Sequence, residues 1–423
     1  MQKTKRKTTL LIKNIGQLVT MQGPSPRRGK DMSEIGLIYD GAIAIAGDVV
    51  VAVGKSDDIA GKVDLAQNCV VISAEKKVVT PGFIDPHTHP VFAKMREDEF
   101  EMRLAGKSYM EIAQAGGGIR SSVRKLREMP EDELYARARK TVNRMLAYGT
   151  TSAEAKSGYG LSTEAELKSL TVIKRLNEHE PVDLYPTFLG AHEVPDEYRE
   201  RHRDYVDLVI REMIPAVAEK NLALFCDVFC EEGVFSVAET RAILTAAQNA
   251  GMRPKLHADE LKSTGGAELA VELGAVSADH LVFVSDIGID MLAKSNTAAV
   301  LLPGTSFALG LKQSAPARKM IEKGVIVALS TDCNPGSSMT ESLPMMMALA
   351  AVNLRMTAAE AISAVTVNAA WAIGQGERLG RLDVDLPADI VIWDMADYRE
   401  LPYHYGVNLV GTVIKNGKIV VGG

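Results

Sequence analysis

A chain of 423 residues exceeds one ordinary domain and can bury a large core, so one large domain with a smaller companion is expected. Its 46% apolar and 24% charged residues are those of a soluble globular protein and exclude a disordered, low-complexity or fibrous chain. A net charge of -6 gives no broad positive field for a phosphate backbone, which argues against nucleic acid as a partner.

The chain opens on Lys3, Lys5, Arg6 and Lys7. The apolar stretch that follows is broken by Lys13 and Asn14 and has no small-residue cleavage site, so it reads as a solvated terminus before a strand, not as a secretory signal. Residues 8 to 80 then read as short strands between Gly, Pro and Ser turns (TTLLIKNIGQLVT, AIAIAGDVVVAVG, VVISAEKKVVT), with no helix-period segment. The end of the chain, ADIVIWD and GTVIKNGKIVVGG, has the same texture, and the two pieces are expected to share one small β domain.

Between them, eight apolar β-type runs alternate with helical segments, at 78–85, 150–156, 182–190, 223–230, 254–259, 277–282, 298–303 and 325–332. This alternation specifies parallel strands with helical crossovers, and eight is the number of a (β/α)8 TIM barrel. A doubly wound open sheet is the alternative, but no GxGxxG follows the first strand, and the AGGG at Ala115 to Gly118 falls in a long loop. Residues 131–148 repeat apolar positions at Leu134, Ala138, Val142 and Met145 after Pro130. Thr163 to Glu166 and Ser236 to Glu239 have capping-box spacing. No segment approaches the ~20 apolar residues that span a bilayer. The four cysteines show no CxxC or disulfide-framework spacing, which suits a reducing cytoplasm.

His87 and His89 lie two apart in DPHTHP at the end of the first barrel strand, where strand alternation turns both rings to one side. His257 ends the fifth strand, His280 lies in the sixth and Asp332 ends the eighth. The chain has eight histidines, and four fall at the C-terminal ends of barrel strands, the face that carries the active site of such barrels. His179 and His202 lie in helical segments and His404 in the tail, positions that read as surface or structural.

This pattern, with TPGFIDPHTH and TVNAAWAIGQGERLGRLDVDLPADIVIWD, resembles the amidohydrolase superfamily over nearly the whole chain. The resemblance implies an α/β fold: a TIM barrel over 81–383 and a small β-sandwich domain built from 1–80 with 384–423. It implies one divalent metal per chain, Zn2+ or Fe, bound by His87, His89, His257 and Asp332 with water in the open position. The fourth strand ends in Cys230, Glu231 and Glu232 and so offers no lysine for a carbamate between two metals; Lys156, on the second strand, reads as a structural or electrostatic lysine. His280 and Asp332 are placed to take a proton from the water, and Glu260 in HADE resembles the shuttle glutamate of one-metal members.

Six stretches in order, DPHTHPVFAKMREDEF, RLAGKSY, EAKSGYGLS, TFLGAHEVP, HADE and STDCNPGSS, resemble one branch of the superfamily. Members of that branch open the ring of 4-imidazolone-5-propanoate to N-formimidoyl-L-glutamate. The match implies that Arg96 binds the propionate through its planar fork and that Tyr109, Tyr159, His192, Asn334, Gly336 and Ser337 line the pocket, Glu260 and Ser337 facing the ring. Pro90 and the AKM at 93–95 depart from the branch's usual loop beside Arg96. Cys333 reads as a small buried filler and Met345 to Met347 as helix packing. The expected partner is therefore a small anionic heterocycle, with no nucleic acid and no membrane, and the resemblance also implies a homodimer. The alternative enzyme is an aminohydrolase acting on a heterocycle such as guanine or cytosine. A noncatalytic scaffold could dispense with the ligands, and this chain has all of them.

Overall fold

The computed structural model describes residues 6–59, 61–107, 111 and 117–422. Tyr109 lies outside them, as do Lys3, Lys5, Ala115 and Gly116. The chain begins with β1 (Thr8–Val19), β2 (Leu37–Ala46), β3 (Val49–Lys55), β4 (Leu65–Ser73) and β5 (Val78–Pro81). Eight barrel strands follow: β6 (Phe83–Asp85), β7 (Thr150–Lys156), β8 (Asp183–Ala191), β9 (Phe225–Cys230), β10 (Arg253–Ala258), β11 (Ser277–His280), β12 (Ala298–Leu301) and β13 (Val327–Leu329). The last three, β14 (Ile390–Trp393), β15 (Val410–Lys415) and β16 (Lys418–Val421), return to the first sheet.

That first sheet runs β16-β15-β14-β5-β1-β2-β3, so both ends of the chain pair directly, through β14 against β5. β1 carries a register shift between Ile12 and Ile15, with Asn14 at a φ of 56°, the mark of a bulge. Its first half pairs with β4 and its second half with β5. Leu10, Ile12, Ile15, Leu18, Ile43, Ile45, Ile390, Ile392 and Ile414 form one buried cluster, so the two terminal segments share a core.

In the barrel sheet, β6 to β13 pair in chain order, every pair parallel. All seven residues of β7 are buried, as expected of a strand with side chains on one face and helices on the other. The sheet is nearly closed: a lone bridge, Thr88 to Cys333, links the chain just beyond β6 to the chain just beyond β13.

Two local expectations need correction. The run 78–85 is not one strand: β5 belongs to the terminal sheet and β6 to the barrel, with Gly82 between them packed so tightly that a Cβ there would strike the Thr151 side chain. The helix Thr163–His179 is capped by Ser162, whose hydroxyl accepts from the Ala165 N–H; Thr163 turns to Glu212, and Glu166 is buried as acceptor for the N–H groups of Gly158, Gly160 and Leu161. The other cap is as expected, Ser236 and Glu239 forming a reciprocal box. The helix Glu131–Ala147 buries Leu134, Ala138, Val142 and Met145. Among the described residues no helix is long and apolar enough to cross a membrane, and all four cysteines are free thiols.

Candidate active site

Register brings the candidate residues together. In the parallel ladder His257 of β10 lies level with Asp279 of β11, and His280 comes one residue later. The two strand ends that carry His280 and Asp332 leave ordinary extended geometry, with φ of 75° and 51°. Such backbone persists only where the surroundings hold it, and it is common at active sites. His87 and His89 follow β6 into the mouth of the barrel, their Nε2 atoms 3.2 Å apart. Asp332 Oδ1 is 3.5 Å from each of these nitrogens. The His257 ring lies 4.5 Å from that of His87 and 5.3 Å from that of His280, centre to centre. Donor atoms of His87, His89 and Asp332 fall within 4.8 Å of one another, and so do those of His87, His257 and His280.

The donor set suits a divalent cation on chemical grounds. The imidazoles of His87, His89 and His280 are held well below the usual histidine range, first by burial, with the Lys156 ammonium adding to it at all three. Neutral rings present lone pairs. The His87 Nδ1–H donates to Asp279 Oδ2 at 2.6 Å, which fixes the tautomer and leaves the Nε2 lone pair facing His89 and Asp332. That lone pair, with His89 Nε2 at 3.2 Å and Asp332 Oδ1 at 3.5 Å, is satisfied either by a proton carried on His89 or by a cation shared among the three. His257 differs: burial pulls it down, but the charge of Asp227, whose Oδ2 lies 3.0 Å from Nδ1, outweighs burial and raises it. Burial pushes Asp332 up to about 6, against a 2.6 Å hydrogen bond from the Thr305 hydroxyl. A cation at the centre would hold it ionised.

Beneath this layer lies a charged interior. Lys156 Nζ is 2.6 Å from Asp227 Oδ2 and 2.8 Å from Glu154 Oε1, and Lys255 Nζ is 2.7 Å from Glu154 Oε2, all with side chains wholly enclosed. Lys156 is thus a paired ammonium, raised above the usual lysine value because Asp227, Glu154 and Asp279 outweigh its burial.

The remaining candidates surround the cluster. Tyr159 is buried, its ring 5.4 Å from that of His192, which stacks on His89 at 5.2 Å. His192 Nδ1 donates to the Gly158 carbonyl at 2.9 Å, and burial pushes this imidazole down to about 3. Gly158 has a φ of 106°, and a Cβ there would press on His192 Nδ1 at 3.0 Å, so glycine is required for the approach. Glu260 Oε2 is 3.5 Å from His280 Nε2, and its carboxyl is pushed up to about 8 by burial and then by Asp332.

Asn334 turns into its own loop: its Oδ1 accepts from the N–H groups of Gly336 and Ser337 at 2.8 Å, and its Nδ2 donates to the Asp332 carbonyl at 2.7 Å. Arg96 stands at the start of the helix Glu97–Leu104, close against Gly336 and paired with Glu99. Tyr109 is the one candidate outside the described residues. Cys333 is fully buried and Met346 and Met347 pack the helix Leu343–Leu354.

The residues missed from sequence are mostly partners: Asp279, Asp227, Glu154, Lys255 and Thr305. A signal existed in part, because Lys255 and His257 alternate on one face of β10 and Asp227 stands alone in the apolar FCDVFC.

A parallel eight-stranded barrel with this His and Asp cluster at its C-terminal mouth defines the class, an amidohydrolase; the sequence profile of the amidohydrolase family matches residues 78–420. The chain is 52% identical over 411 residues to the imidazolonepropionase of Alkaliphilus oremlandii, covering 97% of each, and 50% identical over 417 residues to that of Shouchella clausii, covering 98% of this chain and 93% of the other. It belongs to the imidazolonepropionase family. Among solved structures, E. coli guanine deaminase superposes with a TM-score of 0.73 at 14% identity over 98% of this chain and 99% of that one. A zinc-bound adenosine deaminase from Xanthomonas campestris gives 0.70 at 19%, over 99% and 94%. At these identities the likeness speaks for the fold.

Proposed function

We infer that this protein hydrolyses 4-imidazolone-5-propanoate to N-formimidoyl-L-glutamate. Its near-full-length identity of 52% to an imidazolonepropionase carries the reading, and the His and Asp cluster supports it. Water adds to the ring carbonyl carbon, the bond from that carbon to the ring nitrogen breaks, the oxygen remains in a carboxylate, and the nitrogen leaves protonated within the formimidoyl group.

The metal is one ion per chain, Zn2+ or Fe, held by His87, His89, His257 and Asp332. When bound it supplies Lewis acidity, lowering the pKa of a water molecule and polarising the ring carbonyl. The single-ion count is supported by the ammonium of Lys156, which already lies 2.6 and 3.8 Å from the two carboxylates, Asp227 and Asp279, that would serve a second ion beside His87. His280 and Asp332 take the proton of the attacking water. Glu260 carries a proton between water and ring nitrogen, a task suited to a carboxyl held near neutrality. Arg96 binds the propionate; Tyr159, His192, Gly336 and Ser337 line the ring's pocket together with Tyr109, and Asn334 shapes the 334–337 turn. A homodimer in the cytoplasm completes the reading, with a sandwich domain of 1–80 plus 384–423 beside a barrel of 81–383.

Purified, metal-loaded protein given fresh imidazolone propionate is expected to bleach the ring absorbance and yield N-formimidoylglutamate by mass. His257→Ala is expected to lose about 10³-fold or more in kcat/KM and to bind less metal. An intact ring beside full metal occupancy would refute the assignment, and ammonia released from guanine or cytosine would install a deaminase in its place.

A further inference from the structure

Reading Arg96 as the partner of the propionate leaves its charge already matched. Arg96 Nε and Nη2 both donate to Glu99 Oε2, at 2.9 and 2.6 Å, and the two side chains are 12% and 8% exposed. The other Glu99 oxygen accepts from the Gly118 N–H at 2.8 Å, so this carboxylate is fixed from both sides. A neutral, enclosed pair has little net attraction for a substrate anion.

A second guanidinium stands beside it. Arg103, in the last turn of the same helix, donates from Nη1 to the Gly336 carbonyl at 3.2 Å. Arg96 closes on Gly336 from another side, near enough that a Cβ at this position would collide with its Nη1. The two guanidiniums thus bracket the loop that carries Asn334 and Ser337. Arg103 has no ion pair among the described residues, and its Nε is buried with no hydrogen-bond partner. Among the described residues its guanidinium carbon also lies 5.7 Å from the Phe100 ring centre. Burial and then the field of Arg96 pull Arg103 below the usual guanidinium value, with Glu99 acting the other way; a guanidinium keeps its proton under such a pull. The group of Arg96, Arg103 and Glu99 therefore carries one net positive charge, and that charge traces to Arg103.

We propose that Arg103 is the second cation of the carboxylate subsite: Arg96, neutralised by Glu99, gives the propionate its geometry, and Arg103 gives the subsite its net charge and a free N–H donor. The proposal rests on the imidazolone propionate reading. A clasp role, in which Arg103 merely ties its helix to the Gly336 loop, is the competing account.

The test is steady-state ring opening by wild type, Arg103→Gln and Arg103→Lys, with inhibition by imidazole propionate and by its uncharged amide. Gln keeps a donor for the Gly336 carbonyl and drops the charge, whereas Lys keeps the charge. The expected result is a KM raised about tenfold or more in Arg103→Gln, with kcat changed by less than about twofold, partial recovery in Arg103→Lys, and loss of the preference for the carboxylate inhibitor over the amide in the Gln variant alone. A wild-type KM and inhibitor preference in Arg103→Gln would overturn the proposal. So would a fall in kcat with that preference intact, which is the signature of a clasp. Wild type that leaves the ring closed would instead overturn the functional reading and this proposal with it.

Discussion

The molecule encloses two interiors of opposite character. The terminal sheet covers a cluster made only of aliphatic side chains, among them Ile12, Ile43, Ile390 and Ile414. The upper half of the barrel covers Lys156, Lys255, Glu154, Asp227 and Asp279, all wholly enclosed. Taking a charge out of water costs several kcal/mol unless a partner offsets it, and well-packed apolar side chains of equal volume are often as stable or more so. Burial of so many charges in one place is therefore poorly explained by stability. They are explained by what stands above them: Asp279 fixes the tautomer of His87, Asp227 lies against His257, and Lys156 and Lys255 balance the carboxylates. One interior holds the fold, and the other holds the rings of His87 and His257.

Substitutions can break this contrast. The largest effect is expected from Lys156→Met, which keeps the volume but leaves Asp227 and Glu154 short of a partner; it should cost about 3–5 kcal/mol in denaturant unfolding and also lower metal content. Unchanged stability would mean that the charged interior is looser than its distances indicate. Ile390→Ala, in the aliphatic interior, should cost about 2–5 kcal/mol as cavity and transfer terms add, while kcat per folded molecule stays at the wild-type value. A fall in kcat there would show that the two interiors are coupled.

The smallest effect is expected at the surface. Asp397, paired with Arg399 at 2.5 Å, has its carboxyl pulled down to about 2, first by that hydrogen bond. A carboxyl depressed in the folded state adds stability that is present above its unfolded value and lost as pH falls toward its folded one. Asp397→Asn should therefore lower Tm slightly near neutrality, and the difference from wild type should shrink between about pH 4 and about pH 2 and vanish below that. An equal shift at all pH values would point to packing instead of charge.

The legibility of the sequence follows the same division. Barrel strands are apolar runs because both faces are buried, so all eight could be placed, and histidines at their ends stand out because imidazole is rare in this chain. What one residue does to another across strands has no such signature. Asp227 in FCDVFC looks like any acidic residue in a strand until parallel register sets it level with Lys255, from where its carboxylate reaches to 3.0 Å from His257 Nδ1. The division of 78–85 into β5 and β6 depends on how closely Thr151 approaches Gly82, a tertiary fact. Ser162 and Thr163 offer the same hydroxyl at adjacent positions, and only the burial of Glu166 decides which one caps the helix. Arg96 and Glu99 are three apart on one helix turn, so that pair was readable in principle.

The gap in the barrel wall gives the proposed ligand set a mechanical meaning. β6 and β13 do not pair along their lengths; they are stitched by the bridge between Thr88 and Cys333, by Asp85 accepting from the Thr331 N–H and hydroxyl, and by the Ser330 hydroxyl donating to the His87 carbonyl at 2.7 Å. His87 and His89 stand on one lip of this seam and Asp332 on the other. A cation gripped by all three is a rivet across the joint, and loading the enzyme should slow amide hydrogen exchange at residues 85–89 and 330–334 well before it is felt in the terminal sheet. Equal protection with and without metal would show that the stitches alone suffice. The same ion that activates water would then keep the wall of the reaction vessel shut, so an enzyme robbed of its metal loses the vessel along with the reagent.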